Sequence, residues 1–328
     1  MRKVIGMFVL LFLVAILTFL SNCDSSTKTI PQKNEKKIIL GFAQVGAESS
    51  WREANTESIK AAAREADIEL LFANAQQKPE NQIKAIRSFI AQQIDVIAFS
   101  PVVEMGWDAV LKEAKDADIP VILLDRGVEI EDDSLYVTLI GSDFLEEGRK
   151  AGRWLVDRMR DRKGEINIVE LQGTFGSAPT IHRKKGFEDI IKNNPNMKII
   201  KSQYGDFMIS KGKEVMNTFL MEEGSKINVL FAHNDDMALG AIEAIEAYGL
   251  RPGKDIIIVS IDAVRGAFEA MIAGKLNCTV ECNPLLGPQL MRAVKDLKAG
   301  KQLPKRIVIE EGIFPEEVAE KELPNRKY

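Results

Sequence analysis

The sequence predicts an α/β protein that consists of two doubly wound lobes, each with a parallel sheet. Short, near-continuous apolar runs alternate with amphipathic stretches, as in strands buried on both faces and the crossover helices between them. This alternation restarts halfway along the chain. The chain has 328 residues, which is more than one hydrophobic core usually holds. Two lobes of the same architecture are therefore expected in one chain.

The first half of the chain carries the first copy of this pattern. Its strands are predicted at Ile38–Gln44, Glu69–Ala73, Asp95–Ser100 and Val121–Leu124, with a further strand at Tyr136–Gly141. Its helices are predicted at Trp51–Ala66, Pro79–Gln93 and Trp107–Ala117. The β-α-β-α order indicates a parallel sheet with helices on both faces.

The second copy follows Gly141. Its strands are predicted at Ile166–Leu171, Ile199–Gln203, Val229–Ala232 and Ile256–Ile261. Its helices are predicted at Asp143–Arg160, Thr180–Asn193, Ser210–Glu223, Met237–Tyr248 and Arg265–Ala273. The repeated order is the basis for predicting a second lobe like the first.

The N-terminus resembles an export signal of the bacterial lipoprotein type. Residues 1–23 contain a basic start, an apolar run from Val4 to Leu20, and Cys23 directly after it, as export signals do. Asn22 departs from the small residue that usually precedes a lipidated Cys, so an uncleaved single anchor or ordinary secretion stays open. Residues 24–37 have one large apolar residue, Ile30, and are predicted to be a flexible tether. The remainder is expected outside the cytoplasm, in the periplasm or cell envelope.

Composition argues against several functional classes. The net charge of -4 lacks the basic excess of a nucleic-acid-binding protein. Cys278 and Cys282 lie roughly 13 Å apart if the segment is a strand, which is beyond the reach of a disulfide, so both are expected to be core residues. The two His and three Cys do not have zinc-site spacing, and no nucleophile-elbow sequence occurs. The sequence predicts no catalytic residue, no metal and no cofactor.

Candidate binding residues follow the predicted strands, because ligands of open α/β sheets lie beyond the carboxyl ends of the strands. The first lobe offers polar and charged residues after its first and fourth strands, and the second lobe offers them after two strands and at the start of a helix. The candidates are Glu48, Ser49, Ser50, Trp51, Arg52, Asp125, Arg126, Arg183, Asn234 and Asp262. Facing one another across a cleft, these side chains would form one site.

Carbohydrate suits this set of side chains. Carboxylates and amides accept hydrogen bonds from hydroxyl groups, Arg offers a rigid fork of donors, and Trp51 can stack on a sugar ring. Simpler explanations exist for single residues: Asp143, Ser210 and Asp235 are also typical helix N-caps, and Trp51 could belong to the core. Trp107 and Trp154 are expected to be packing residues.

The same residues carry a family resemblance that covers the whole length of the chain. The stretches that carry it are Gly41–Gly46, Glu48–Arg52, Gln82–Phe89, Asp125-Arg126, Arg183–Phe187 and His233–Met237. With them, the chain resembles the type I periplasmic sugar-binding proteins of the ribose and galactose type, most closely the galactofuranose-binding members. The resemblance implies a sugar site formed by Glu48 to Arg52, Asp125, Arg126, Arg183, Asn234 and Asp262. Ala47, Ser50 and Ile181-His182 depart from the pattern at the rim, which leaves the sugar open.

The resemblance also implies a three-segment hinge between the lobes. Suitable crossings are Gly141-Ser142-Asp143, Glu281–Pro284 and a stretch near Phe314-Pro315. The first lobe would then contain residues 38–141 and 283–315, and the second would contain residues 142–282 and 316–328. Glu281 and Asn283 would lie at the hinge, close enough to contact ligand, although each could equally be a solvated turn residue. The lobes are expected to close around bound sugar by hinge rotation.

By resemblance, the protein is expected to deliver a monosaccharide, galactofuranose or a related aldose, to an ABC permease in the membrane. It would act as a monomer, held by a lipid anchor, without nucleic acid and without catalysis. A sugar-sensing lipoprotein that serves a chemoreceptor or a sensor kinase needs the same fold and site and stays open as the alternative. A repressor of the lactose-repressor type shares the two lobes but begins with a helix-turn-helix, where this chain has an export signal.

Overall fold

The structure is a computed structural model that describes residues 37–328. The predicted export signal, Cys23 and all but the last residue of the predicted tether lie outside the described residues. Within residues 37–328, no helix has the length and apolar character needed to cross a membrane.

The first lobe is built on a six-stranded sheet in the order β11-β5-β4-β3-β1-β2. All neighbouring strands run parallel. Its strands are β1 (Ile39–Gln44), β2 (Glu69–Asn74), β3 (Val96–Phe99), β4 (Val121–Leu124), β5 (Thr138–Gly141) and β11 (Arg306–Val308). Its helices are α1 (Ser50–Glu65), α2 (Pro79–Ala91), α3 (Asp108–Asp116) and α9 (Gly287–Lys298).

The second lobe repeats this arrangement in the order β12-β10-β9-β8-β6-β7. Its strands are β6 (Ile166–Gln172), β7 (Met197–Tyr204), β8 (Val229–Ala232), β9 (Ile257–Asp262), β10 (Cys278–Glu281) and β12 (Ile313–Pro315). Its helices are α4 (Phe144–Arg158), α5 (Ala178–Ile191), α6 (Ile209–Glu223), α7 (Asp235–Ala247), α8 (Arg265–Ile272) and α10 (Ala319–Glu322). Only β12, at the edge of this sheet, runs antiparallel to its neighbour. The predicted fold class of two parallel-sheet α/β lobes is confirmed.

Helices cover both faces of the first sheet, and this follows from the apolar stripe on each helix. Helices α1 and α9 pack over one face, where Ile59 and Leu290 belong to the same buried cluster as Leu40. Helices α2 and α3 cover the other face around Trp107, which is fully buried. Trp154 packs at the margin of the second lobe's core. Cys278 and Cys282 are buried free thiols.

The strands with long apolar runs lie within two residues of their predicted bounds, whereas the C-terminal elements were not predicted. Strands β11 and β12 have three residues each and are partly exposed, so they have no continuous apolar run. Helix α9 begins at Gly287-Pro288, a pair that is typical of a turn when the sequence is considered alone.

The chain crosses between the two sheets three times. The crossings lie between β5 and α4, between β10 and α9, and between β11 and β12. The third lies several residues before its predicted position near Phe314-Pro315. Phe314 is paired with Thr279 of β10, so residues 313–315 belong to the second sheet rather than to the first. An edge strand of three residues has too few side chains for the sequence to indicate which of the two sheets it joins.

Two glycines allow helices α4 and α5 to approach backbone to backbone. A Cβ added at Gly186 would lie 2.1 Å from the carbonyl oxygen of Leu145, and one at Gly148 would lie 2.2 Å from that of Arg183. Neither helix can therefore carry a side chain at this crossing. The close approach brings Glu147 of α4 beside Arg183 of α5.

We expect the substitution Gly186→Ala to destabilise the protein by about 1–3 kcal/mol, because the methyl group forces the two helices apart. The matched control is Gly266→Ala in α8, where the new Cβ would meet only the end of the Leu239 side chain, at 3.1 Å. We expect the control to change the free energy of unfolding by less than about 0.5 kcal/mol. Urea unfolding of both variants measures this; equal stabilities would show that the helices do not depend on this contact.

Candidate functional site

A cavity lies between the two lobes at the carboxyl ends of their strands. About 280 Å³ of space in it is free of protein atoms, the solvent at its mouth included. Its walls are formed by Glu48, Ser49, Trp51, Arg52, Asp125, Arg126, Phe144, Pro179, Arg183, Phe207, Asn234, Asp262 and Cys282. Most candidates from the two halves of the sequence thus meet in one enclosed space.

Arg52 organises the wall that the first lobe contributes. Its Nη2 donates to Asp125 Oδ2 at 2.7 Å, and its Nε donates to Glu48 Oε1 at 3.1 Å. Ser49 is the N-cap of α1, and its Oγ accepts from the backbone N–H of Arg52 at 3.2 Å. The cap starts the helix directly after the β1 turn, which places Glu48 and Arg52 four residues apart on one side.

Arg126 completes this wall. It is 2% exposed, its Nη1 donates to the carbonyl oxygen of Val102 at 3.3 Å, and its Nη2 lies 3.5 Å from Glu48 Oε1. Burial lowers the pKa of Arg126 to about 10, and the positive charge of Arg52 adds to this effect. Its Nε and the Oε2 of Glu48 are buried atoms with no hydrogen-bond partner in the protein. Arg126 Nε lies 3.8 Å from Asp125 Oδ2, beyond hydrogen-bonding distance, so this wall has one donor and one acceptor whose hydrogen bonds are not made within the protein.

Arg183 organises the opposite wall. Its Nε donates to Glu147 Oε2 at 2.7 Å, and its Nη1 donates to the backbone oxygen of His233 at 2.5 Å. Its Nη2 lies 3.5 Å from Asp262 Oδ1. Burial lowers the pKa of Arg183, but Glu147, Cys282 and Asp262 together raise it by more, so the guanidinium stays charged.

The two acids that follow strands at equivalent places in the two sheets have unusual backbone conformations. Asp125 follows β4 with φ +65°, and Asp262 ends β9 with φ +134°. Such angles cost free energy in a residue with a side chain and are concentrated at functional sites. A Cβ at Gly141 would lie 2.7 Å from the backbone oxygen of Asp125, so only glycine leaves room for this turn. Burial raises the pKa of Asp262 well above its ordinary value, in spite of Arg183.

Asn234 and Trp51 each combine a structural role with a place in the cavity wall. Asn234 is the N-cap of α7, where its Oδ1 accepts from Met237 N–H at 3.0 Å, and its Nδ2 donates to the Phe207 oxygen at 3.2 Å. The indole Nε1 of Trp51 donates to the backbone oxygen of Cys282 at 2.6 Å. The ring also packs with the second lobe's core, so Trp51 joins the two lobes in this closed arrangement.

The lobes contact each other at the rim of the cleft. Ser50 donates from its N–H and Oγ to the carboxylate of Asp236, at 3.1 and 2.9 Å. On another part of the rim, Glu104 N–H donates to the Gly176 oxygen at 2.9 Å, and His182 Nε2 lies 3.3 Å from a Glu104 oxygen. The structure is thus a closed arrangement, and Ser50 lies at its edge instead of in the cavity.

Glu281 and Asn283 lie at the hinge but do not line the cavity. The carboxylate of Glu281 accepts from Gly312 N–H at 3.0 Å and from Arg326 and Tyr328. The side chain of Asn283 accepts from Leu285 N–H at 2.9 Å, within its own turn. Both side chains are occupied by hinge contacts, which turns them away from ligand.

Several residues of the site were not predicted. Phe207 lies in the turn after β7 and Cys282 lies directly after β10, so the strand-end rule could have found both. Phe144 begins α4 after β5 and could have been found in the same way. Pro179 and Glu147 lie within helices. The sequence pattern does not distinguish the helix face that is near the site from the faces that pack in the core.

The arrangement can bind a small, hydroxyl-rich molecule. Guanidinium donors and carboxylate acceptors lie on both walls, and Phe144 and Phe207 add apolar surface beside them. Each hydroxyl group donates one hydrogen bond and accepts others, so it can satisfy a carboxylate and a guanidinium at once. The mixed signs also balance the buried charge without an ionic ligand.

Comparison with known proteins agrees with this geometry. A family model for the periplasmic binding protein domain matches residues 40–302. The chain is 47% identical to the galactofuranose-binding protein YtfQ of Escherichia coli K12 over 88% of this chain and 92% of the relative.

Two solved structures extend the comparison. One, from Mycobacterium smegmatis in complex with β-D-fucofuranose, has a TM-score of 0.87 and 55% identity and covers 89% of this chain and 95% of that one. The other is the periplasmic component of an arabinose ABC transporter of Shewanella sp. ANA-3, bound to L-arabinofuranose. It has a TM-score of 0.85 and 49% identity and covers 88% of this chain and 95% of that one. The chain therefore belongs to the periplasmic binding protein family.

Proposed function

We propose that this protein is an extracytoplasmic receptor that binds one monosaccharide in its furanose form and delivers it to an ABC importer. The observation that carries this proposal is the pair of buried, unpartnered atoms Glu48 Oε2 and Arg126 Nε, which belong to residues that line the cavity between the lobes. One sugar hydroxyl can donate to the first atom while it accepts from the second.

Selectivity follows from the same atoms. An analogue without a matching hydroxyl leaves a buried polar group unpaired, which costs about 1–3 kcal/mol. The preference for a furanose is supported by the relatives described above, which are named for galactofuranose or were solved with fucofuranose or arabinofuranose.

Closure around the sugar is the proposed signal that cargo is bound. Both cavity walls come from one chain, so a monomer is sufficient for binding. The rim contacts, such as Ser50 with Asp236, join the lobes and create a surface that spans both of them. A permease that contacts this composite surface would distinguish the closed form from the open one.

Transport is favoured over sensing and over catalysis. The Shewanella relative, at 49% identity, is described as a component of an ABC transporter, and the Escherichia coli relative is named as a binding protein. We assign no turnover to the site, since its carboxylates pair with arginines. A sugar-sensing lipoprotein would use the same cavity and differ only in the membrane partner.

We also propose that Cys23 carries a lipid anchor. The support is in the sequence: a basic start, the apolar run from Val4 to Leu20, and the Cys directly after it. Residues 24–37 would then hold the folded lobes at a distance from the membrane. The sugar site and the outer surface of the importer would then face the same compartment.

The sugar is identified by a thermal-shift titration of the soluble protein that begins at Ser25. We expect a methyl galactofuranoside or L-arabinose to raise the Tm strongly, because binding adds about 2.7 kcal/mol of stability at 100 times the Kd. D-ribose and D-glucose serve as control sugars of different shape. Refolding from guanidinium first removes any sugar carried over from expression. A Tm unchanged by every sugar would contradict the proposed cargo.

We expect Arg126→Ala to weaken sugar binding by at least about 30-fold, since loss of one partner from a buried charged set costs about 2–5 kcal/mol. Asp125→Ala should have a similar effect, because it also leaves Arg52 without its 2.7 Å partner. Arg87→Ala is the control: Arg87 forms an exposed ion pair with Glu113. Calorimetric titration of the three folded variants measures the Kd. If both site variants bound sugar with wild-type affinity, neither residue would belong to the sugar site.

The anchor is tested with Cys23→Ser in the full-length protein, expressed in a bacterium that processes lipoproteins. We expect wild-type protein in the membrane fraction and the variant in the soluble periplasmic fraction, because the thiol that accepts the lipid is absent. Cys278→Ser is the control for a cysteine outside the signal. A Cys23→Ser variant that stays in the membrane would show that the apolar run itself is the anchor.

A further inference from the structure

Glu311 lies in the third crossing between the lobes, and its side chain contacts the other two crossings. Its Oε1 accepts from the Oγ of Ser142 in the first crossing at 2.5 Å. The same oxygen accepts from the backbone N–H of Asn283 in the second crossing at 2.8 Å. One carboxyl group thus joins all three hinge segments.

A carboxyl oxygen of Glu311 lies within 4.8 Å of one of Glu147, and the two groups interact electrostatically and through a hydrogen bond. Glu147 is 1% exposed and uses its Oε2 for Arg183 in the cavity wall. Its Oε1 is buried and has no hydrogen-bond partner among the groups that carry a proton in the structure. Two carboxylates in contact cannot both be charged at low cost, but one proton between them supplies a donor for that oxygen. Glu147 already accepts from the Arg183 guanidinium through its Oε2, so we place the proton on Glu311.

The other charged groups around Glu311 do not replace this proton. Lys150 of α4 donates to the backbone oxygen of Glu311 at 2.6 Å, not to its carboxyl group. Arg306 of β11 donates to the backbone oxygens of Gly141 and Ser142. The pKa of Arg306 is lowered by burial.

Two further titratable groups come from β10 and the segment after it. The Cys282 thiol lies beside the carboxyl pair, and burial raises its pKa well above its ordinary value, which keeps it neutral. Glu281 contacts the neighbouring Gly312 and is itself paired with Arg326. Burial and the negative charge of Glu147 raise the pKa of Glu311 to about 9.

We propose that Glu311, as a neutral acid, is a positioning residue for sugar binding. Its proton donates to Glu147, which holds Arg183 in the cavity wall, while its Oε1 fastens the first and second crossings. The position of Arg183 is thereby tied to the closed arrangement of the hinge. When the proton is lost, Glu147 and Glu311 repel each other and the link between hinge and site is weakened. Of the two tests of this proposal, only the binding test depends on the proposed sugar-binding function.

The test compares Glu311→Gln and Glu311→Ala with wild type. The amide of glutamine can donate to Glu147 and accept from Ser142 and Asn283, as the protonated acid does, but it cannot ionise. Glu310→Gln removes the adjacent, exposed carboxylate and is the matched control. Two quantities are measured on the protein that begins at Ser25: the Kd for a methyl galactofuranoside between pH 6 and 9.5, and the unfolding equilibrium without sugar.

For binding, we expect Glu311→Gln to stay within about threefold of wild type at pH 7, and Glu311→Ala to lose about tenfold or more, as for one unpaired buried group. Wild-type and Glu310→Gln affinity should fall as the pH approaches 9, while the affinity of Glu311→Gln stays level. Equal affinity of Glu311→Ala and wild type would overturn the proposal. So would a decline with pH in Glu311→Gln that matches the decline in wild type.

The unfolding arm needs no ligand. An acid with a raised folded pKa stabilises the fold below its unfolded pKa, and this stabilisation is lost as the pH rises through the folded value. The window runs from the ordinary value of 4.5 to about 9. The unfolding constant of wild type should therefore rise, relative to Glu311→Gln, by up to about tenfold per pH unit between pH 5 and 8. Parallel profiles would overturn the proposal even if no sugar binds, which separates its failure from a failure of the proposed function.

The carboxyl oxygens of Glu147 and Glu311 and the sulfur of Cys282 lie within 4.8 Å of one another, so a metal ion is the competing occupant. Treatment of wild type with EDTA distinguishes the two. We expect no change in Tm or Kd, because a proton, not a metal, joins the carboxyl groups. A loss that added Zn²⁺ restores would overturn the shared proton in favour of a metal site.

Discussion

The burial of three arginine side chains between two lobes is the constraint on which the site depends. An isolated buried charge costs many kcal/mol, so each guanidinium must meet a carboxylate in good geometry. Arg52 meets Glu48 and Asp125, and Arg183 meets Glu147 and Asp262. Arg126 is the least satisfied of the three, and its Nε has no hydrogen-bond partner in the protein. The pairs hold the donors in place, so little reorganisation is needed when a sugar binds.

These charges come from both lobes, and this links binding to closure. Opening the hinge would expose the walls to water, while closing it removes charged groups from water and leaves Glu48 Oε2 and Arg126 Nε unpaired. The direct contacts at the rim, such as His182 with Glu104, are few and partly exposed, and contacts of this kind are weak. A bound sugar supplies the missing hydrogen bonds and so shifts the equilibrium toward the closed form.

The backbone makes room for this arrangement at a few places. Asp125 and Asp262 have positive φ where their strands end, and Gly141 allows the Asp125 turn to lie against β5. Gly148 and Gly186 allow α4 and α5 to approach closely, which brings Glu147 to Arg183. Local strain and close packing thus occur beside the cavity, where the stable sheets can support them.

The sequence by itself determined the elements and the lobes. Apolar runs such as Val121–Leu124 must be buried, and a residue that directly follows such a run, such as Asp125, must lie at the sheet edge where ligands bind. Tertiary structure alone decided which polar side chains face the cavity. Glu281 ends strand β10 and Asn283 lies just after it, yet hinge contacts hold both side chains away from the cavity. Glu147 lies in the middle of α4 but reaches Arg183 through the packing of α4 against α5. Periodicity records which residues are buried, whereas the partner that a buried charge meets depends on distant parts of the chain.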